Sequence, residues 1–173
     1  MGWNTSALFV RGRSIDEVVA CLPDDTDYLP SGDRSSADQA WSNRPWQRLH
    51  LADTAGWCQM WDPAQRIPTD IDNLLKTGAL GALKGTRALA VLFSSVSSIY
   101  GLWLHDDGEL VRGMLFHDGE PVIDLGEPLP VEARVDIPEW GPDEDFLWAF
   151  INDVTGLTAT VDQVFEVYET IRR

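Results

Sequence analysis

Between Arg87 and Phe93 apolar residues run almost without a break. Such a run fits a strand covered on both faces, or a buried stretch of helix. The Ser94-Ser95 and Ser97-Ser98 pairs that follow favour a strand and then a turn. Tyr100, Leu102 and Leu104 next alternate with Ile99, Gly101, Trp103 and His105. Asp107-Gly108 and Asp118-Gly119 are tight-turn signals, because glycine tolerates positive φ and aspartate bonds its own backbone. Leu110 to Phe116 between them reads as another strand, and Pro121 to Leu125 as a short last one. Pro121 has no amide to donate, which places it at a strand start or an edge. Residues 86–125 are therefore expected to form an antiparallel meander.

The flanks read differently. Thr5 to Val10 predicts a strand. Ser14-Ile15-Asp16-Glu17 is a capping box opening a helix whose Ile15, Val18, Val19 and Leu22 share a face; Pro23 stops it. Residues 23–48 are rich in Asp, Ser, Pro and Gly and predict a long loop, with a short helix over Ser36 to Trp41. Leu49 to Leu51 and Ala55 to Trp61 read as strands with a turn near Asp53-Thr54. Pro68-Thr69-Asp70 opens a helix reaching at least Leu75, with Ile71, Leu74 and Leu75 inward. Over 143–173 the pattern predicts two C-terminal helices. Phe146, Leu147, Phe150 and Ile151 make the stripe of the first. Thr160 and Gln163 cap the second, with Val161, Val164, Phe165, Tyr168 and Ile171 at helical spacing. The whole, 1–173, is expected to be a single α+β domain: an antiparallel β-meander sheet of about five to seven strands with helices packed chiefly on one face.

Composition narrows the function. Of 173 residues, 28 are acidic and 13 basic, a formal net charge of −15. That balance argues against nucleic acid and anionic membranes, which reward positive charge, and allows a basic protein as partner. No apolar stretch approaches the length of a membrane span, and no basic leader precedes a long apolar run. Cys21 and Cys58 belong to no metal-spaced or CxxC set, so two free thiols in a reducing cytoplasm are expected.

Candidate chemistry is sparse. His105-Asp106-Asp107-Gly108-Glu109 and His117-Asp118-Gly119-Glu120 echo one another and suggest a metal. If one strand separates them they lie roughly 20 Å apart, and neither alone offers enough converging ligands. No metal and no cofactor is expected. No GxSxG, P-loop or GxGxxG is present, and only three histidines are available, so no catalytic residue is assigned. Two surfaces remain. Trp57, Gln59 and Trp61 share one strand face, and with Trp41 and Trp46 above them they form either a ligand pocket or ordinary core. Asp136, Glu139, Trp140, Asp143, Glu144 and Asp145 form either a negative, aromatic protein-binding face or a solvated loop and helix start.

Val10 to Val18, read VRGRSIDEV, together with Gly56-Trp57 on a later strand, resembles a family of small uncharacterised actinobacterial proteins. Some of these are similar to immunity proteins of toxin systems. The resemblance implies a cytoplasmic α+β domain and brings no catalytic residues. The reading that follows is a non-enzymatic, acidic, protein-binding domain of immunity or inhibitor type. The alternative is a small-molecule-binding protein or enzyme with a tryptophan-lined pocket.

Overall fold

The structure, a computed structural model, describes residues 2–23, 25–42, 46–66 and 84–173. The helix expected from Pro68 to Leu75 lies outside them. Nine strands of the described residues form one sheet in the order β2-β9-β3-β4-β1-β5-β6-β7-β8. In chain order these are β1 (Asn4–Arg11), β2 (Thr26–Ser36), β3 (Arg48–Thr54), β4 (Trp57–Asp62), β5 (Arg87–Ser94), β6 (Ile99–Asp106), β7 (Glu109–His117), β8 (Glu120–Leu125) and β9 (Val164–Arg172). Every pairing is antiparallel. The α-helices among the described residues are α1 (Ile15–Val19), α2 (Ala37–Trp41) and α3 (Glu144–Thr155).

The meander forms as its turns dictate. Asp107-Gly108 and Asp118-Gly119 both carry positive φ at the two turn positions, the geometry whose twist matches flanking strands. The β3–β4 turn uses Ala55 at φ 51° and Gly56 at φ 82°, two residues beyond its expected place. A left-handed alanine costs roughly 1–2 kcal/mol, and asparagine bears that conformation better. Ala55→Asn is therefore expected to raise the urea midpoint, by about 0.5–1 kcal/mol in stability.

Strands β1 and β5 occupy the middle and are buried almost throughout. Alternation then splits the core in two. Ala7, Phe9, Trp57, Trp61, Leu89, Val91 and Phe93 pack on one face with α2 and α3. Leu8, Val10, Cys58, Met60, Ala88 and Ala90 pack on the other with Ile15, Val18 and Leu22 from α1 and the turn after it. Helical residues thus join both clusters, and the fold is mostly β; the nine strands are a correction to the expected five to seven.

Two segments depart from expectation. Residues 23–48 are largely strand and helix, not a long loop: β2 pairs with β9 and runs into α2. Its turn-like composition reflects an edge position, with Pro30 exposed and the register shifting between Pro30 and Arg34. Proline and extra residues are tolerated there because one side of an edge strand needs no partner. The second expected C-terminal helix is instead strand β9, held between β2 and β3. Its apolar residues satisfy either period, and two available strand partners decide the outcome.

Candidate functional site

The two sheet margins also set the surfaces. Beyond β8 the chain is tied back by Arg112 on β7, whose side chain is almost wholly buried. Its guanidinium donates to Glu132 at 2.7 and 2.8 Å, to the carbonyls of Leu125 and Gly126, and to Asp124. Glu132 also accepts the Leu129 amide at 2.8 Å. Five donors in a rigid fork suit such convergence.

The far part of this connection leans on the Asp118-Gly119 turn. A Cβ on Gly119 would lie 2.6 Å from the Trp140 carbonyl oxygen, and one on Gly141 would lie 2.2 Å from the Gly119 Cα. Backbone meets backbone there, so the segment is seated firmly while its side chains face outward. Trp140 is 75% exposed and Ile137 50%. Asp136, Glu139 and Asp145 are exposed, as are Asp118 and Glu120 on the adjoining turn. Val122 and Leu125 on β8 are exposed apolar residues as well. Asp143 and Glu144 have structural work: Asp143 caps α3 by accepting the Phe146 amide at 3.1 Å, and Glu144 accepts the Ser95 hydroxyl and reaches the Trp3 amide. Of the six residues singled out in sequence, Asp136, Glu139, Trp140 and Asp145 therefore form open surface.

The tryptophans gather elsewhere. Trp61 is fully buried at the centre of an aromatic cluster, with the rings of Trp3, Phe9, Trp41, Phe93 and Trp148 at 5.8–6.2 Å. Trp3 stacks on Trp41 at 4.4 Å. Trp57 is core, and Trp46 is 59% exposed. Beside the cluster lies a cavity of about 150 Å³, lined by Trp41, Gln59, Trp148, Thr54, Gln163 and Phe165 among others. Trp41 and Gln59 of the expected pocket thus come together, whereas Trp46, Trp57 and Trp61 do not line it. Trp148 and Gln163 were not singled out as site residues. Trp148 sits one position off the apolar stripe of α3, and only the returning chain at 156–165 brings it to a cavity wall.

Two buried groups resemble catalytic parts. Ser35 Oγ lies 2.6 Å from His50 Nδ1. The other ring nitrogen is buried and has no partner among the described residues, so none of their carboxylates orients the ring as a triad requires. Burial foremost, then the Arg48 charge, lowers the His50 pKa to about 4. Cys58 is buried and its thiol is pushed up to about 12, chiefly by desolvation, which leaves it protonated and unreactive. His105 and His117 stand at opposite ends of the β6–β7 ladder, paired with Leu110 and Ile99 respectively.

The His50 environment has a measurable consequence. The unfolded chain takes up a proton near pH 6.5 and the native state only near pH 4. Stability from this group is therefore full above about pH 6.5 and is lost as pH falls toward 4, by on the order of 3 kcal/mol. Urea unfolding of wild type and His50→Gln between pH 7 and 4 is expected to show the shallower slope in the variant.

A cleft of about 530 Å³ at the sheet rim gathers Arg11, Arg13 and Arg87 beside Asp106. Arg13 pairs with Glu17 and Arg87 with Asp106, so much of that charge is met locally. No helix among the described residues is long and apolar enough to cross a membrane. No family model, curated protein or solved structure matches the chain.

Proposed function

We propose that this protein is a non-enzymatic binding domain of inhibitor or immunity type that holds a basic protein through the Trp140 surface. The observation that carries this reading is a tryptophan three-quarters exposed on a backbone-locked segment and set among carboxylates. Tryptophan contributes large contact area with little rotamer freedom to lose, and it dominates many interfaces. The surrounding Asp118, Glu120, Asp136 and Glu139 favour a partner bearing lysine and arginine and speed its approach. The net charge of −15 acts in the same direction. Cys21 and Cys58 form no disulfide, which suits work in a reducing cytoplasm.

The test uses immobilised protein and cell extract at about 50 mM salt, within the range where surface charge acts over more than 10 Å. A basic protein retained by wild type is expected to bind Trp140→Ala roughly 30-fold more weakly, the loss of a 2 kcal/mol anchor. The same complex is expected to weaken as salt rises. The variant should fold normally, since the side chain it removes is mostly in solvent. Equal retention by wild type and variant, or retention of no basic protein, would refute the assignment.

A further inference from the structure

The cleft at the sheet rim collects positive charge in a chain whose net charge is −15. The strand register explains how. Arg11 lies opposite Trp57 on β4, and Arg87 lies opposite Asp106 on β6. The β1–β5 ladder reaches Val10 and Ala88, so one further step sets Arg11 and Arg87 side by side. Directly opposed residues have Cβ atoms roughly 5 Å apart, and like charges there repel. Arg87 is met by Asp106 at 3.1 Å. Arg13 joins them from the following turn, held by the Lys84 carbonyl at 2.9 Å and by Glu17 at 3.8 Å. Arg11 is exposed and has no carboxylate partner among the described residues. Three guanidiniums are thus met by two carboxylates, beside an open space of about 530 Å³, within the range of small-molecule sites.

The backbone of the cleft is committed elsewhere: the Gly12 amide donates to the Gly56 carbonyl at 2.8 Å and the Gly85 amide to Asp107 at 2.6 Å. Recognition therefore falls to side chains. Among the described residues no apolar side chain lines the space, which favours a charged ligand over a greasy one. A phosphate group carries nearly two charges on three oxygens, enough acceptors for forks arriving from two strands, whereas a carboxylate has two oxygens. We infer that the rim cleft binds a small phosphate-bearing molecule whose oxygens accept from Arg11 and Arg87. The cleft shares no residue with the Trp140 surface, so either assignment can fail without the other.

The experiment titrates full-length protein with inorganic phosphate, and separately with succinate, near neutral pH and at constant ionic strength so that general screening cancels. NMR follows the Arg11 and Arg87 Nε–H signals, assigned from their Gln variants, and the Gly12 and Gly85 amides. Phosphate is expected to shift these signals saturably and about tenfold more tightly than succinate, a dianion without a phosphoryl group. Arg11→Gln and Arg87→Gln are each expected to weaken phosphate about tenfold. Asp106→Asn, which removes a negative charge beside the site, is expected to tighten it about threefold. Arg134→Gln, whose partner is Asp153, is expected to leave it unchanged. Succinate binding as tightly as phosphate would overturn the phosphate assignment. No saturable shift with phosphate, or equal weakening by Arg134→Gln, would overturn the site itself. The wild-type titrations decide the first two outcomes even if a variant fails to fold.

Discussion

Arg112→Met is expected to lower stability by about 3–5 kcal/mol, measured by urea unfolding at pH 7. The guanidinium is almost wholly buried and holds Glu132, Asp124 and two backbone carbonyls at once. Methionine fills much of the volume but leaves the Glu132 carboxylate, itself mostly covered, facing no cation. A stranded buried charge, rather than a lost attraction, sets the size of the effect. The double variant Arg112→Met with Glu132→Leu is accordingly expected to recover a large part of the loss, because replacing a buried pair by apolar groups is often neutral. A double variant no more stable than the single one would show that backbone anchoring at Leu125 and Gly126 matters more than the ion pair. Either way, the experiment also probes the Trp140 surface, since the chain from β8 to α3 is tied down here.

Trp61→Ala carries a comparable expectation, a loss of about 3–5 kcal/mol. The side chain has no exposure and five aromatic neighbours. Its removal opens a void that the surrounding rings, held by β1, β4, β5, α2 and α3, can only partly close. It also releases the Gln59 carbonyl, which then has no indole to accept from. Denaturant unfolding followed by far-UV circular dichroism separates this from a local change in fluorescence. Trp61→Phe, which keeps the ring contacts and loses the N–H, is expected to cost clearly less.

The meander was legible because two Asp-Gly steps and a run of buried alternating residues are local signals, each readable within ten residues. The same holds for the capping box at Ser14 and Glu17, which forms with both of its hydrogen bonds. Strand β9 was illegible for a physical reason. Val164, Phe165, Tyr168 and Ile171 fit a helical stripe, and only the openings beside β2 and β3, distant in sequence, select the extended form. Strand β2 was hidden by Pro30, Ser31, Gly32 and Asp33, residues that an edge tolerates and a central strand does not. At the candidate sites, Trp140 could be picked out as an aromatic among carboxylates, but its exposure depends on the close meeting of Gly119 and Gly141. The Arg112–Glu132 bond spans twenty positions and leaves no periodic trace. The cavity pairs Trp41 with Trp148 across the chain, so no reading of either neighbourhood would have joined them.

The outermost ribbons of the sheet bear on how this chain behaves in a crowd of its own copies. On one margin β2 buckles where its register slips and carries an exposed proline. On the other, β8 is six residues long, opens with Glu-Pro, and slips against β7 between Leu115 and Phe116. A tenth ribbon from a neighbouring molecule would meet a kink, a missing donor and a row of acids instead of a straight template. The sheet ends where it does because both of its borders are built to refuse extension.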